Sequence, residues 1–349
     1  MATTVISLLN QHPTNPVHNT LNQSETKKLW AKSYHPLSKL KVHTVVRGPS
    51  SVIANFDEAF LGDYEDETVR LQNPALPSNY RKWRMDSEAD GIQWFHTEIS
   101  NIVLAAFAEC PSVIQASHEK PLSETKTDQI VDVSYSIRHG RDRLPIAIGE
   151  FKRGLLRAED WQAGNVKLIL QSKLSRELRG YAYLYECPHI FCFDNYTFIM
   201  LQFRAKTRDD IKDAKCVVDC WVFPRDNFHG TPLRYALYRL LVQGFRRCQG
   251  LRALDVSLFG VRPSRREFYN GRPLWNLPDG LTHSRPWGHT RRVDPAYGAF
   301  YWADGDGPAP LLDQNGTQVW DTAAFWEPAE EHAQQDDDSM AREDLYGPA

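Results

Sequence analysis

The stretch that decides the fold is PIAIGEFKRG, residues 145–154. It begins as an apolar run and ends with a carboxylate and an ammonium group two residues apart. Side chains alternate between the two faces of a strand, so every second residue shares a face. The face in question carries Ile146, Ile148, Glu150 and Lys152. Because charged groups on a buried strand carry a desolvation cost, the stretch predicts a buried strand with a polar site at its end.

The segments around this strand have helix or strand periodicity. The upstream helix takes Ser87 or Asp90 as its N-cap. The order from Asp90 to Asp194 is helix, strand, strand, strand, helix, strand, which predicts a mixed α/β fold of the α+β type. The flanking segments are a helix at 87–110, strands at 112–117 and 128–137, a helix at 166–187 and a strand at 189–194.

Three further acids are candidates for the polar site. Asp132 lies in the middle of the strand QIVDVSY among apolar neighbours, where an aspartate needs a partner. Asp128 lies at the start of that strand, where a turn-forming aspartate is ordinary, so Asp132 is the preferred candidate. Glu98 falls close to the apolar stripe of the upstream helix and is either a boundary residue or a group that reaches the site.

With these residues in place, the region resembles the PD-(D/E)XK nuclease-like superfamily. That resemblance covers about a third of the chain and implies a restriction-endonuclease-like αβββαβ core, in which Glu150 and Lys152 form the (D/E)XK motif and Asp132 the acid of the preceding strand. It implies Mg²⁺ or Mn²⁺ held by Asp132 and Glu150, with Glu98 as an additional ligand and all four residues catalytic. The chain as a whole is also similar to uncharacterised fungal proteins that carry this domain.

The sequence departs from the family pattern in two places. The acid of the second strand follows Val131 rather than a proline. Where some members carry Gln-x-x-x-Tyr on the helix after the third strand, this chain has Glu177 and Tyr181, and its glutamine, Gln171, lies one and a half turns earlier. Tyr181 is expected in the core.

The residue types suit phosphodiester hydrolysis. That reaction needs neutralisation of the phosphate charge and a nucleophile made from water. Two carboxylates can hold a divalent cation while a lysine stabilises charge or orients the water. The function indicated is a metal-dependent nuclease. The alternatives are an inactive nuclease-like domain that binds nucleic acid or protein, and an unrelated α+β protein in which Glu150 and Lys152 form an ordinary ion pair.

Basic residues suggest a nucleic-acid partner. Between Arg234 and Arg272 there are nine arginines and two acids. Arg239 and Arg246 are seven residues apart on a predicted helix that has Thr231 as N-cap and ends before Gly250, and so share a face. This face would contact phosphates, or Arg246 would complement the helix dipole. Further candidate phosphate contacts on the preceding helix are Arg176 and Arg179.

Four regions are expected along the chain. They are a peripheral N-terminal lead-in at 1–85, the nuclease-like core at 86–250, an Arg/Trp-rich β annex at 251–326, and a disordered acidic tail at 327–349. The tryptophans of the annex either anchor a small core or stack on bases. The tail is either a solubilising segment or one that folds over the arginines.

Several function classes lack their sequence signatures. No apolar run is long enough to span a bilayer and the amino terminus does not resemble a signal peptide, so we expect an intracellular protein, nuclear or cytoplasmic, without a membrane partner. The six cysteines form no CxxC pair, which favours free core thiols over a zinc site. Phosphate-loop, dinucleotide-binding and serine-hydrolase motifs are also missing.

Overall fold

A computed structural model describes residues 3–13, 17–19, 28–48, 51–60, 70–75, 82–108, 113–119, 129–139, 142–255, 263–276, 282–283, 288–294 and 299–322. The α-helices in these ranges are α1 (Val5–Leu9), α2 (Glu88–Phe95), α3 (Asn101–Leu104), α4 (Ala158–Gln162), α5 (Ile169–Leu184) and α6 (Leu233–Arg252). The strands up to residue 151 are β1 (Val17–Asn19), β2 (Leu40–Val42), β3 (Thr44–Arg47), β4 (Ser51–Ala54), β5 (Trp83–Met85), β6 (Val113–Glu119), β7 (Val131–His139) and β8 (Asp142–Phe151). The later strands are β9 (His189–Phe193), β10 (Thr197–Phe203), β11 (Val218–Pro224), β12 (Pro263–Arg266), β13 (Pro273–Asn276), β14 (Thr282–His283), β15 (His289–Val293) and β16 (Phe300–Asp304).

A seven-stranded mixed sheet forms the centre of the fold. Its strand order is β2-β11-β10-β9-β8-β7-β6. The pairs β8 with β9 and β11 with β2 are parallel, and the other neighbours are antiparallel. Along the chain, the helix at 88–104 is followed by the strands β6, β7 and β8, the helix α5 and the strand β9, with the short helix α4 between β8 and α5. The structure confirms the predicted mixed α/β class and this order of elements.

Each face of the sheet is covered by a different helix, because the apolar residues of each strand alternate. On the α6 face, the strand residues Val133, Phe151 and Trp221 pack with Leu237 and Phe95. On the α5 face, a separate cluster forms, with Ile148, Leu178, Ile190 and Val222 among its members. The two clusters establish which residues of β7 and β8 point toward which helix.

The upstream helix begins where the sequence indicates. The Ser87 hydroxyl accepts a hydrogen bond from the Asp90 amide at 3.2 Å, and the Asp90 carboxylate accepts one from the Ser87 amide at 2.8 Å. This reciprocal capping box satisfies two amides that the first turn leaves without intrahelical partners. The helix continues past α2 through a π-helical turn, His96–Ser100, into α3.

Helix α6 differs from its predicted bounds. Pro232, not Thr231, occupies the N-cap position, and the helix runs through Gly250 to Arg252. Gly250 serves a packing purpose inside the helix, because a Cβ at this position would lie 2.7 Å from the Gly271 carbonyl oxygen. The glycine therefore permits a close contact between α6 and the loop at 267–272 and does not end the helix.

The first 85 residues are not a peripheral lead-in where the structure describes them. Val5 and Leu9 of α1 are fully buried in the core of the α6 face. Strand β2 extends the central sheet by pairing with β11. His43 is buried and stacks on Trp221, with ring centroids 4.9 Å apart. These segments complete the core instead of preceding it.

The carboxy-terminal region forms small sheets with a core of their own. Strands β12, β13 and β14 make one sheet and β15 and β16 another. Trp275 and Trp302 pack with Leu311 and Val319 in a separate buried cluster. These two tryptophans are core anchors, as one of the two interpretations holds. Trp287, Trp326 and the acidic segment 327–349 lie outside the described residues.

No helix among the described residues is long and apolar enough to cross a membrane. The cysteines that the structure describes are buried free thiols, namely Cys187, Cys192, Cys216, Cys220 and Cys248. Cys110 lies outside the described ranges.

Candidate functional site

Asp132 and Glu150 are brought together by the pairing of β7 with β8. The antiparallel register sets Val133 opposite Gly149. One residue further along this register places Asp132 beside Glu150, and side chains directly opposite each other in such a pair have Cβ atoms about 4.5–5.5 Å apart. The Asp132 carboxylate also accepts a hydrogen bond from the Phe151 amide at 2.7 Å. The two acids therefore lie side by side on the α5 face.

Lys152 lies between two glutamates. Its ammonium group donates to Oε1 of Glu150 and, at 3.3 Å, to Oε1 of Glu177. The exposed fraction is 6% for Lys152, 3% for Glu150 and 0% for Glu177. Glu150 and Lys152 share a side of the strand, as the alternation predicts. The three groups form a buried ionic cluster with Asp132 at its partly exposed edge.

Glu177 belongs to the site, although it was not among the site residues predicted from the sequence. In the sequence it stands out only because it replaces a glutamine of the family pattern. It lies on the buried face of α5, between the core residues Leu174 and Leu178. An acid on the apolar stripe of a helix is the signal that points to a partner, since an unpaired charge is rarely buried. The partner is Lys152.

Tyr181 and Gln171, the α5 residues compared with the family's Gln-x-x-x-Tyr pair, have structural contacts. Tyr181 is buried, as expected, and its hydroxyl donates to the Ile130 carbonyl at 3.0 Å. Gln171 accepts a hydrogen bond from the Trp161 indole at 2.7 Å and donates to the Leu155 carbonyl at 2.8 Å. Gln171 thus fixes the segment that follows β8 and does not enter the cluster.

The electrostatics of the cluster show an excess of negative charge. Burial, with the neighbouring Glu150 charge added, raises the pKa of Asp132 to about 7. Burial also raises the pKa of Glu150 to about 8, and Glu177 adds to this while Lys152 opposes it. Burial acts to lower the pKa of Lys152, but the charges of Glu150 and Glu177 outweigh it and the pKa is raised. One ammonium group does not balance three carboxylates.

Two carboxylate oxygens in the cluster have no partner. Oε2 of Glu150 and Oε2 of Glu177 are buried without a hydrogen bond to any described residue. Hard oxygen ligands of this kind suit Mg²⁺, which binds through one or two carboxylates and otherwise keeps water or substrate phosphate oxygens. No group of three or more His, Cys, Asp or Glu side chains in the described ranges is arranged as a metal site. Asp132 and Glu150, which lie side by side on the α5 face, could hold such a cation, whose remaining ligands would be water or substrate oxygens.

Glu98 does not join this cluster, which corrects the expectation that it is an additional ligand. Its Oε1 accepts a hydrogen bond from the Trp83 indole at 3.0 Å, and its backbone carbonyl accepts one from Arg234 at 2.7 Å. It packs on the α6 side of the sheet, whereas Glu150 faces α5. The acid of this helix that lies near the site is Glu88, whose charge is among the influences that raise the pKa of Asp132, after burial and Glu150.

The predicted nucleic-acid contacts fall into different environments. Arg179 is fully buried and donates to the carbonyls of Ile211 and Asp213, so it braces a loop and does not face a ligand. Arg246 is 4% exposed and does not form an open phosphate-binding face with Arg239. Arg239 lies over the rings of Phe56 and Phe60. Arg176 is partly exposed on α5, and Asp128 lies outside the described residues.

A close contact shapes the strand at the site. A Cβ at residue 149 would lie 2.1 Å from the Phe191 ring, so only a glycine fits before Glu150. Phe191 in turn packs on Phe95 and Phe198 with ring centroids 5.4 Å apart in each pair. This aromatic packing fixes β8 against β9 directly beneath Glu150.

Comparison of the chain with protein-family models, with curated proteins and with solved structures finds no match. The function is therefore inferred from the geometry and electrostatics of the cluster formed by Asp132, Glu150, Lys152 and Glu177.

Proposed function

We propose that the chain is a metal-dependent nuclease that hydrolyses phosphodiester bonds in nucleic acid. The observation that carries the proposal is the buried ionic cluster, in which Glu150 and Glu177 contact Lys152, Asp132 lies beside Glu150, and both Asp132 and Glu150 have raised pKa values. Carboxyl groups with perturbed pKa values that lie beside a single cation are typical of functional sites, because catalysis needs pKa values matched to its task. The element order that surrounds the cluster supports the same reading.

Each residue has a role that its position allows. Asp132 and Glu150 would hold Mg²⁺ or Mn²⁺, which supplies Lewis-acid stabilisation of the phosphate and lowers the pKa of a bound water. Lys152 supplies positive charge beside the scissile phosphate. Glu177 keeps the Lys152 ammonium group oriented through its hydrogen bond. Water attacks phosphorus, the bond to the leaving oxygen breaks, and that oxygen takes up a proton.

Protons and a divalent cation compete for the same carboxylates. Below the raised pKa values of Asp132 and Glu150, about 7 and about 8, the acids hold protons. Metal binding releases these protons, so the affinity for Mn²⁺ should rise with pH through this interval. Calorimetry in buffers of different ionisation enthalpy measures the number of protons released.

Cleavage assays test the catalytic claim directly. Purified protein is expected to cut single- or double-stranded DNA or RNA with Mg²⁺ or Mn²⁺ and to lose this activity in Lys152→Ala. Lys173→Ala, at an exposed position on the same helix as Glu177, is the matched control and should retain activity. Wild-type protein that stays inert on all four substrates at pH 8 would refute the proposal.

One observation favours a second candidate, a nuclease-like domain without catalysis that binds nucleic acid or a protein partner. The Lys152 ammonium group is already engaged by two glutamates in a nearly closed site. Binding would then be independent of metal and would change with Arg239, which lies at a partly exposed position of α6. Heat of Mn²⁺ binding that disappears in Asp132→Asn favours the enzyme, and nucleic-acid binding unaffected by chelator favours the binding domain.

A further inference from the structure

A second polar site lies on the other side of the sheet. A cavity of about 150 Å³ opens on the α6 face, between β10, β11 and the loop at 267–272. This volume is well above the roughly 10–15 Å³ that one water molecule needs. Its wall includes Gln202, Arg204, Gln243, Arg246, Arg272 and Arg291. The cavity is separated by the sheet from Glu150, which faces α5.

The wall carries a surplus of positive charge. Four guanidinium groups face two carboxylates, those of Glu58 and Asp219. Both carboxylates already have cationic neighbours, since Arg204 donates to both oxygens of Asp219 at 2.6 and 2.8 Å and Lys41 pairs with Glu58. Behind the wall, Asp321 pairs with Arg291. Glu267, in the loop beside the wall, accepts a hydrogen bond from Asn270. Glu58, Asp219 and Asp321 thus each have a cationic partner, and Arg272 lies outside these ion pairs.

Arg272 is the arginine that the described contacts leave available. Its guanidinium group has no hydrogen-bond or ion-pair partner among the described residues. Close packing nevertheless holds the backbone before Arg272 in place. Gly271 has φ +72°, and a Cβ on Gly271 would lie 2.8 Å from the Gly250 Cα. The Arg272 amide also donates to Asn270 at 2.8 Å. The loop is thus held tightly against α6 and presents Arg272 to the cavity.

Three of the arginines converge closely. Arg246 and Arg291 both lie over the ring of Phe300, at 5.2 and 3.6 Å from its centroid. Burial lowers the pKa of Arg291, and the charges of Arg272 and Arg246 lower it further against the opposing effect of Asp321. Guanidinium groups held this close repel one another, and an anion bound between them would relieve that repulsion.

Gln202 indicates what else the ligand carries. It is 1% exposed, and its Oε1 has no hydrogen-bond partner among the described residues. It lies directly opposite Asp219 across β10 and β11. The Gln202 oxygen is an acceptor, so a ligand that offers a hydroxyl donor as well as an anionic group would satisfy it. A bare anion would satisfy the arginines but leave Gln202 without a partner.

We infer that this cavity binds a small phosphomonoester that bears hydroxyl groups, such as a sugar phosphate. The phosphate lies between Arg246 and Arg272, where planar guanidinium groups match its oxygens. A hydroxyl of the same molecule donates to Gln202 or Asp219. The site takes no part in the proposed cleavage reaction, and its ligand binding can be measured whether or not the protein is a nuclease.

The test is calorimetry with ribose 5-phosphate as the probe, alongside inorganic phosphate and ribose. Ribose 5-phosphate is expected to bind the wild type, inorganic phosphate to bind more weakly, and ribose not to bind. Arg272→Gln should weaken ribose 5-phosphate binding about tenfold or more, because one charged fork is lost. Arg84→Gln removes an exposed arginine that does not line the cavity and should leave the affinity unchanged.

Other outcomes overturn the inference. If wild type and Arg272→Gln bound ribose 5-phosphate with equal affinity, the phosphate would not lie at Arg272 in this cavity. If inorganic phosphate bound as tightly as ribose 5-phosphate, the proposed hydroxyl contacts would be refuted. The unfolding midpoint of each variant establishes that the fold is intact. Should Arg272→Gln fail to fold, Arg272→Lys keeps the charge without the fork, and an affinity equal to that of the wild type would refute the role assigned to the guanidinium group.

Discussion

Replacing Asp132 by asparagine should make the protein more stable at alkaline pH. In the folded protein the pKa of Asp132 is raised from 3.8 to about 7, chiefly by burial and then by Glu150. The folded state therefore binds more protons than the unfolded state between these values, and stability falls as pH rises through that interval. Asparagine cannot ionise, yet its side-chain oxygen can still accept the hydrogen bond that the Phe151 amide donates to Asp132.

The size of the effect follows from the pKa values. Each pKa unit corresponds to about 1.36 kcal/mol, so the titration of Asp132 lowers the free energy of unfolding, relative to a side chain that never ionises, by about 4 kcal/mol at pH 8 and by about 1.7 kcal/mol at pH 5. Asp132→Asn should thus raise the free energy of unfolding at both pH values, and by about 2.5 kcal/mol more at pH 8 than at pH 5. Urea unfolding followed by tryptophan fluorescence measures both values.

Asp90→Asn is the control with the opposite sign. The hydrogen bond from Ser87 leads the interactions that lower the pKa of Asp90, so its ionised form favours folding. Neutralising it should destabilise the protein above its usual pKa. Added Mn²⁺ should narrow the gap between wild type and Asp132→Asn, because a cation favours the ionised acid. An Asp132→Asn protein less stable than wild type at pH 8, or a difference independent of pH, would refute this reasoning.

Three further substitutions test other buried polar contacts by urea unfolding at pH 8. Lys152→Met removes the cation from between two buried glutamates and should cost about 3–5 kcal/mol, less at pH 5 where the acids take up protons; an equal loss at both pH values would contradict the ion-pair account. His43→Phe removes the hydrogen bond to Asp219 and should cost about 2–3 kcal/mol, so an unchanged midpoint would show that the contact is not stabilising. Gln171→Leu leaves the Trp161 indole unpaired and should cost about 1–3 kcal/mol, which full stability of the variant would disprove.

Local patterns were sufficient to predict much of the central fold. Strand alternation placed Glu150 and Lys152 on one face, and helical periodicity located α5. The turn between β9 and β10 contains Asn195, a residue type that tolerates the left-handed conformation, and its φ is 74°. These features depend on neighbouring residues only, and neighbouring residues are what a single sequence displays.

The errors concern residues whose environment is formed by distant segments. Glu98 was expected at the metal site, but its contact is Trp83, in a segment taken to be peripheral. Arg246 was expected on an open face, but Phe300 and the annex cover that part of α6. Gly250 was expected to end a helix. A glycine is needed at this position because the loop that contains Gly271, twenty-one residues later, packs closely against it. Periodicity shows which face of a helix is apolar, but it does not show which distant segment packs on that helix.

The contact between Gly149 and Phe191 constrains how this chain can diverge. The ring occupies the space of the missing Cβ, so a larger residue at one position is tolerated only after a smaller one appears at the other. An alanine at 149 alone would push β8 away from β9 and with it the carboxylate that follows. Among descendants of this sequence, positions 149 and 191 should therefore change as a pair, and a lineage that keeps the glycine but loses the aromatic ring would carry a void under Glu150.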